Sequence, residues 1–110
     1  MNISKEKDKK KTFENIEIAP GTKIGKKPTI GSFVILGTPA RIPTKPLEIG
    51  DYPTIRSHTI IYAGNTIGDN FQTGHSAFIQ ENNQIGNQVS LGTKSVILSN
   101  CIIHMISFCM

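Results

Sequence analysis

The sequence predicts an all-β chain, a single-stranded parallel β-helix of about four coils, and three patterns in it carry that expectation. An aliphatic residue returns at every sixth position, a smaller residue usually stands two positions before it, and glycine often follows it. From Ile49 the sixth residues are Ile49, Ile55, Ile61, Ile67, Thr73, Ile79, Ile85, Leu91, Ile97, Ile103 and Cys109. An amphipathic helix repeats every three or four residues and an isolated strand every two, so a strict spacing of six calls for a different unit.

A second register, Ile18, Ile24, Ile30 and Leu36, precedes the first. The step from Leu36 to Ile49 is one residue longer than two repeats, so the registers join only through an inserted residue or a loop. Pro39, Pro43 and Pro46 fall in that interval, and their missing amide donors predict a proline-rich loop over 37–48. The expected organisation is a flexible basic tail over 1–14 and one β-helix domain over 15–110.

Side chains two apart on a strand share a face. Thr59, Ala77, Val89, Ser95, Cys101 and Ser107, with Phe71 as the large exception, therefore pair inward with the sixth-position residue that follows each. Gly25, Gly31, Gly50, Gly68, Gly86 and Gly92 stand where the chain is expected to bend, with positive φ as one expected reason for glycine there. Three strands and their turns make a coil of about 18 residues, and coils stack at about 4.8 Å. Ile49, Ile67, Ile85 and Ile103 then form one interior column, Ile61, Ile79 and Ile97 a second, and Asn65 with Asn83 an internal amide ladder. A lone coil cannot cover its own open faces, so stacking is what makes the core.

Composition removes several function classes. The net charge is +4 over 110 residues, but residues 1–12 hold five lysines against Glu6 and Asp8 and supply +3 of it. The rest is nearly neutral and has no basic stripe interleaved with aromatics, which argues against a nucleic-acid reader. Only Cys101 and Cys109 are present, with neither a CxxC pair nor a disulfide framework, as suits a reducing compartment. The charged N-terminus lacks the apolar stretch of a secretory signal, and no run of about 18 apolar residues offers a membrane span. Cytoplasmic localisation without membrane attachment is the expectation.

The stretch IGDYPTIRSHTIIYAGNTIGDNFQTGHSAFIQENNQIGNQVSLGTKSVI, residues 49–97, resembles the hexapeptide-repeat acyltransferases, and among them the sugar acetyltransferases. The resemblance implies a left-handed coil, against the usual right-handed crossover preference. It also implies transfer of an acetyl group from acetyl-CoA to an amino or hydroxyl group of a sugar or nucleotide-linked sugar. Members of that family are generally homotrimers with active sites between subunits. Read from the residues, Ile60, Phe78 and Val96 form an outward apolar stripe that a partner would cover, which makes them the expected trimer contact.

Acyl transfer needs a base at the attacking group and a means of stabilising the oxyanion. His75 is the candidate base: it lies in Thr73-Gly74-His75, where threonine replaces the aliphatic residue and glycine permits close backbone approach, and imidazole exchanges protons near neutral pH. A turn or interface histidine is the alternative for it. His58 falls one coil earlier and one column away, under Ser76, and the two imidazoles are placed to approach each other. His58, Glu81, Asn82 and Gln80 are candidate substrate contacts. His58 has a structural polar edge as its alternative, and Asn82 and Gln80 are polar contacts to a sugar. Glu81, one repeat round the coil from His75, is placed to orient a substrate amine or a neighbouring subunit's histidine, with an exposed turn carboxylate as its alternative. Gly92 and Thr93 are candidate acyl-donor contacts through their backbone amides. No metal is expected, because His58, His75 and His104 lack the close paired spacing of the zinc-dependent γ-type carbonic anhydrases that share the fold.

After Ile103 the turn residues vanish from His104-Met105-Ile106-Ser107-Phe108-Cys109-Met110. A β-helix needs a cap over its last coil, so the expectation is a chain truncated relative to the enzymes it resembles. That keeps a second function class open: a non-catalytic β-helix fragment or scaffold that assembles through its apolar stripe or open end.

Overall fold

The computed structural model describes residues 15–104, which form a parallel β-helix without any helix among them. The fourteen short strands sort into three parallel sheets, one per side of the coil. The first sheet stacks β1 (Glu17–Ile18), β4 (Ile35–Thr38), β7 (Ile60–Tyr62), β10 (Phe78–Ile79) and β13 (Val96–Ile97). The second stacks β2 (Lys23–Ile24), β5 (Glu48–Ile49), β8 (Thr66–Ile67), β11 (Gln84–Ile85) and β14 (Ile102–Ile103). The third holds β3 (Thr29–Ile30), β6 (Thr54–Ile55), β9 (Gln72–Thr73) and β12 (Ser90–Leu91). The expected basic tail over 1–14 and residues 105–110, on which part of the expected truncation rests, lie outside the described residues.

The six-residue period is the distance between consecutive sides, and it puts one large aliphatic side chain inside per strand. Ile49, Ile67, Ile85 and Ile103 are in register in the second sheet, and Ile61, Ile79 and Ile97 in the first. Ile55, Ile61, Ile67, Ile79 and Ile85 are buried, and each contributes roughly 1.5–3 kcal/mol. The positions two residues earlier are buried as well: Pro53, Thr59, Asn65, Phe71, Ala77, Asn83 and Val89.

Asn65 and Asn83 form the expected ladder. Each Nδ2 donates to the Gln80 carbonyl, at 2.7 and 2.8 Å, and Asn65 also donates to the Tyr62 carbonyl at 2.8 Å. Their Oδ1 atoms accept the backbone N–H of the next rung, Asn83 at 2.9 Å and Cys101 at 2.7 Å. Buried amides are tolerated here because donor and acceptor are both used.

Two expectations need correction. Gly25, Gly31, Gly50, Gly68, Gly86 and Gly92 are not in the left-handed region. Most of the corners put other residues there, among them Tyr52, His58, Asn70, Ser76, Asn82, Gln88, Lys94 and Asn100 with φ between 58° and 65°, while Gly37 after Leu36 has φ 87°. At Gly25, Gly31, Gly50 and Gly68 the next coil passes too close for a side chain. A Cβ on Gly50 would lie 2.2 Å from Asp69 Oδ1, and that oxygen accepts the Asp51 N–H at 2.8 Å. The same bond recurs from Asp69 N–H to Asn87 Oδ1, so a polar ladder runs beside the glycine column.

The second correction concerns the join between registers. Ile24, Ile30 and Leu36 pair with Ile49, Ile55 and Ile61, a step of 25 residues where later coils step by 18. The insertion is thus seven residues, not one, and Leu36 to Ile49 crosses a single side of the coil. The loop is also narrower than 37–48, since β4 runs through Thr38 and β5 starts at Glu48. Leu47, fully buried, anchors its end, and the Lys45 ammonium donates to the Thr66 hydroxyl.

The outer faces differ in chemistry. The first sheet presents Ile35, Ile60, Phe78 and Val96 in register, with Tyr62 edge-on to Phe78 at 5.5 Å. The second presents Glu48, Thr66, Gln84 and then the exposed Ile102, and the third Thr54, Gln72 and Ser90. Among the described residues no helix is long and apolar enough to cross a membrane.

Candidate functional site

The turn between β9 and β10 carries Gly74, His75 and Ser76, and stacking places Arg56-Ser57-His58 one coil before it and Gly92-Thr93-Lys94 one coil after. Threonine at the inward position of this turn is accommodated by its own hydrogen bonds. Thr73 Oγ1 meets Thr59 Oγ1 at 3.3 Å and accepts the Arg56 N–H at 3.2 Å, while the Thr59 hydroxyl also donates to the Gly74 carbonyl at 3.3 Å. A buried polar pair therefore sits directly beneath the turn and ties it to the previous coil.

Gly74 is required by contact with the coil above. A Cβ there would stand 2.4 Å from the Thr93 nitrogen. Freed of a side chain, its N–H donates to the Leu91 carbonyl at 2.8 Å, and the following His75 N–H donates to Thr93 Oγ1 at 3.2 Å. The His75 carbonyl accepts from Lys94 N–H at 2.8 Å. With its backbone held from one side, the His75 ring is held from the other, Nδ1 lying 2.8 Å from Ser57 Oγ. The imidazole is exposed, and Nε2 is the nitrogen left for a ligand.

His58 occupies the left-handed corner position, φ 65°, and its ring stacks on Phe33 at 5.1 Å. Histidine is among the non-glycine residues that enter this region more readily than most. The two imidazoles share a corner and have different partners, His58 stacking on Phe33 and His75 bonding to Ser57. Arg56 and Lys94, both exposed, bring positive charge to the same corner from the coils on either side.

Of the sequence-predicted residues, His75, His58, Gly92 and Thr93 are gathered here. Gln80, Glu81 and Asn82 are not: they lie past β10, at the next corner of the coil. Gln80 Oε1 accepts from the Ser99 hydroxyl at 3.2 Å, and its carbonyl is occupied by the internal amide ladder. Ser57 was missed by the sequence reading, though its place one 18-residue step before His75 was a usable signal.

A cavity of about 500 Å³ lies under the proline loop, lined by residues including Thr22, Arg41, Ile42 and Leu47, and His75 is not part of its wall. Among the described residues no group of three or more His, Cys, Asp or Glu side chains is arranged to hold a metal ion. Compared with protein-family models, with curated proteins and with solved structures, the chain gave no match.

Proposed function

We propose that the protein is an acyltransferase, moving an acetyl group from acetyl-CoA to an amino or hydroxyl group of a sugar or nucleotide-linked sugar, with His75 as the base. The observation that carries this reading is the His75 ring, exposed at Nε2, tethered at Nδ1 by Ser57, and set beneath Thr93 on a turn stripped to glycine. In the proposed step, Nε2 takes the proton of the acceptor O–H or N–H as that atom forms its bond to the thioester carbonyl carbon. The C–S bond then breaks, and the imidazolium returns its proton to the leaving thiolate. Arg56 and Lys94 favour phosphate-bearing reactants at this corner, a property of CoA and of nucleotide-linked sugars alike.

Glu81, Gln80 and Asn82 enter this proposal only through a second subunit, because one chain holds them at a different corner. The in-register stripe Ile35, Ile60, Phe78 and Val96 is the proposed contact of a homotrimer, being apolar over four successive rungs where the second sheet runs Glu48, Thr66 and Gln84 before Ile102 and the third runs Thr54, Gln72 and Ser90. Replacing Phe78 by Glu should shift the assembled species to monomer in sedimentation velocity, with the far-ultraviolet circular dichroism of the β-helix kept. An unchanged trimer would rule this contact out. The two cysteines without a disulfide framework support a cytoplasmic setting.

Release of free thiol from acetyl-CoA, measured with a panel of amino and hydroxyl sugars, tests the reaction. Acceptor-dependent release is the expected result. Absence of turnover by the folded assembly across the panel would instead favour a non-catalytic scaffold, a second reading supported by Leu98 and Ile102, which are 60% and 68% exposed in the last described coil.

A further inference from the structure

We infer that Ser57 is a positioning residue that selects the proton arrangement of His75, holding Nδ1–H toward its hydroxyl oxygen so that Nε2 carries the lone pair. The inference rests on the acyl-transfer reading for its consequence, but its structural content stands apart from it. The Ser57 Oγ to His75 Nδ1 distance of 2.8 Å admits two arrangements. If the hydroxyl donated to Nδ1, the proton would sit on Nε2 and the exposed nitrogen would be a donor unable to accept a proton. If Nδ1–H donates to the hydroxyl, the exposed nitrogen is the acceptor.

Only the second arrangement persists when Nε2 gains a proton, because imidazolium has N–H at both positions and needs an acceptor at Nδ1. A hydroxyl oxygen accepts in both states without moving. The surroundings fix this geometry. Ser57 is held to the next coil through its carbonyl, which accepts Ser76 N–H at 2.9 Å, and the His75 backbone is clamped by Thr93 and Lys94. Serine and histidine are therefore carried on two stacked rungs whose separation the sheet sets, leaving the ring torsion as the main freedom the hydroxyl must remove.

The test compares the wild-type chain with Ser57→Ala and Ser57→Thr. Threonine already occupies the equivalent column position at Thr93, so the second variant keeps a hydroxyl in a place where a β-branched residue fits. Imidazole ¹⁵N spectra of the ligand-free protein report the tautomer of His75 directly. The expected result is the Nδ1–H form in the wild type and in Ser57→Thr, and a shift toward the Nε2–H form in Ser57→Ala, with all three giving the same circular dichroism spectrum. In the thiol-release assay Ser57→Ala should lose about tenfold in kcat with KM little changed, and Ser57→Thr should recover most of it. An Nε2–H wild type, or a tautomer indifferent to Ser57→Ala, overturns the inference whether or not turnover is seen. The expected tautomers in a protein without turnover would leave Ser57 as the orienting group and remove the acyl-transfer reading alone.

Discussion

Replacing His75 by alanine should lower acceptor-dependent thiol release by about 10²–10⁴-fold while leaving stability within roughly 0.5 kcal/mol of the wild type. The two halves of this expectation come from different parts of the same residue. The backbone of His75 is structural, donating to Thr93 Oγ1 and accepting from Lys94, and alanine keeps both bonds. Its side chain is exposed and among the described residues is bonded only to Ser57, so truncation leaves no buried group there unsatisfied. A loss of rate accompanied by unfolding would show the imidazole to be a structural strut. A variant that keeps its rate would remove His75 from the chemistry altogether.

The largest expected effect on stability lies one strand away. Phe71 is fully buried, the bulkiest side chain of the interior, in the inward position shared with Pro53 below and Val89 above. Phe71→Ala should cost about 3–5 kcal/mol in urea unfolding, since the stacked rungs have little freedom to collapse into the void. That is a large part of the roughly 5–15 kcal/mol that stabilises a typical domain. Gln72, adjacent but exposed on the third sheet, should change by no more than about 0.5 kcal/mol when replaced by alanine. If Phe71→Ala cost under about 1 kcal/mol, the interior would not be packed as described. Activity should fall in the same variant, because Phe71 supports the rung that carries Thr73, Gly74 and His75.

The contrast between these residues explains how much was legible in the sequence. A six-residue return of Ile is a direct image of one inward side chain per short strand, so the columns and even the Asn65–Asn83 ladder were readable before any coordinates. The length of the inserted loop was not, because one residue beyond two repeats and seven beyond one repeat give the same register. Turn chemistry misled for a related reason. Glycine after Ile suggested positive φ, whereas the close approach of the next coil demands it, and left-handed backbone falls instead on residues such as Asn70, Asn82 and His58.

The candidate site was legible in part. His75 with Gly92 and Thr93 follows from an 18-residue step along the column, and so would Ser57 have done. Gln80, Glu81 and Asn82 stand at the next corner from His75, as the spacing implies, because six residues along the chain is one whole side of the coil. Proximity in sequence and proximity on a β-helix are different quantities. Residues eighteen apart are neighbours, and residues six apart face different directions.

A crystal structure of the chain soaked with CoA tests the central claim most directly, since it reports where a thiol-bearing donor lies relative to His75. The account predicts the CoA thiol against the Gly74–Gly92 column, beside the exposed Nε2 of His75, with Nδ1 still on Ser57. CoA bound at the proline-loop cavity or along a polar face, with its thiol away from His75, would contradict it.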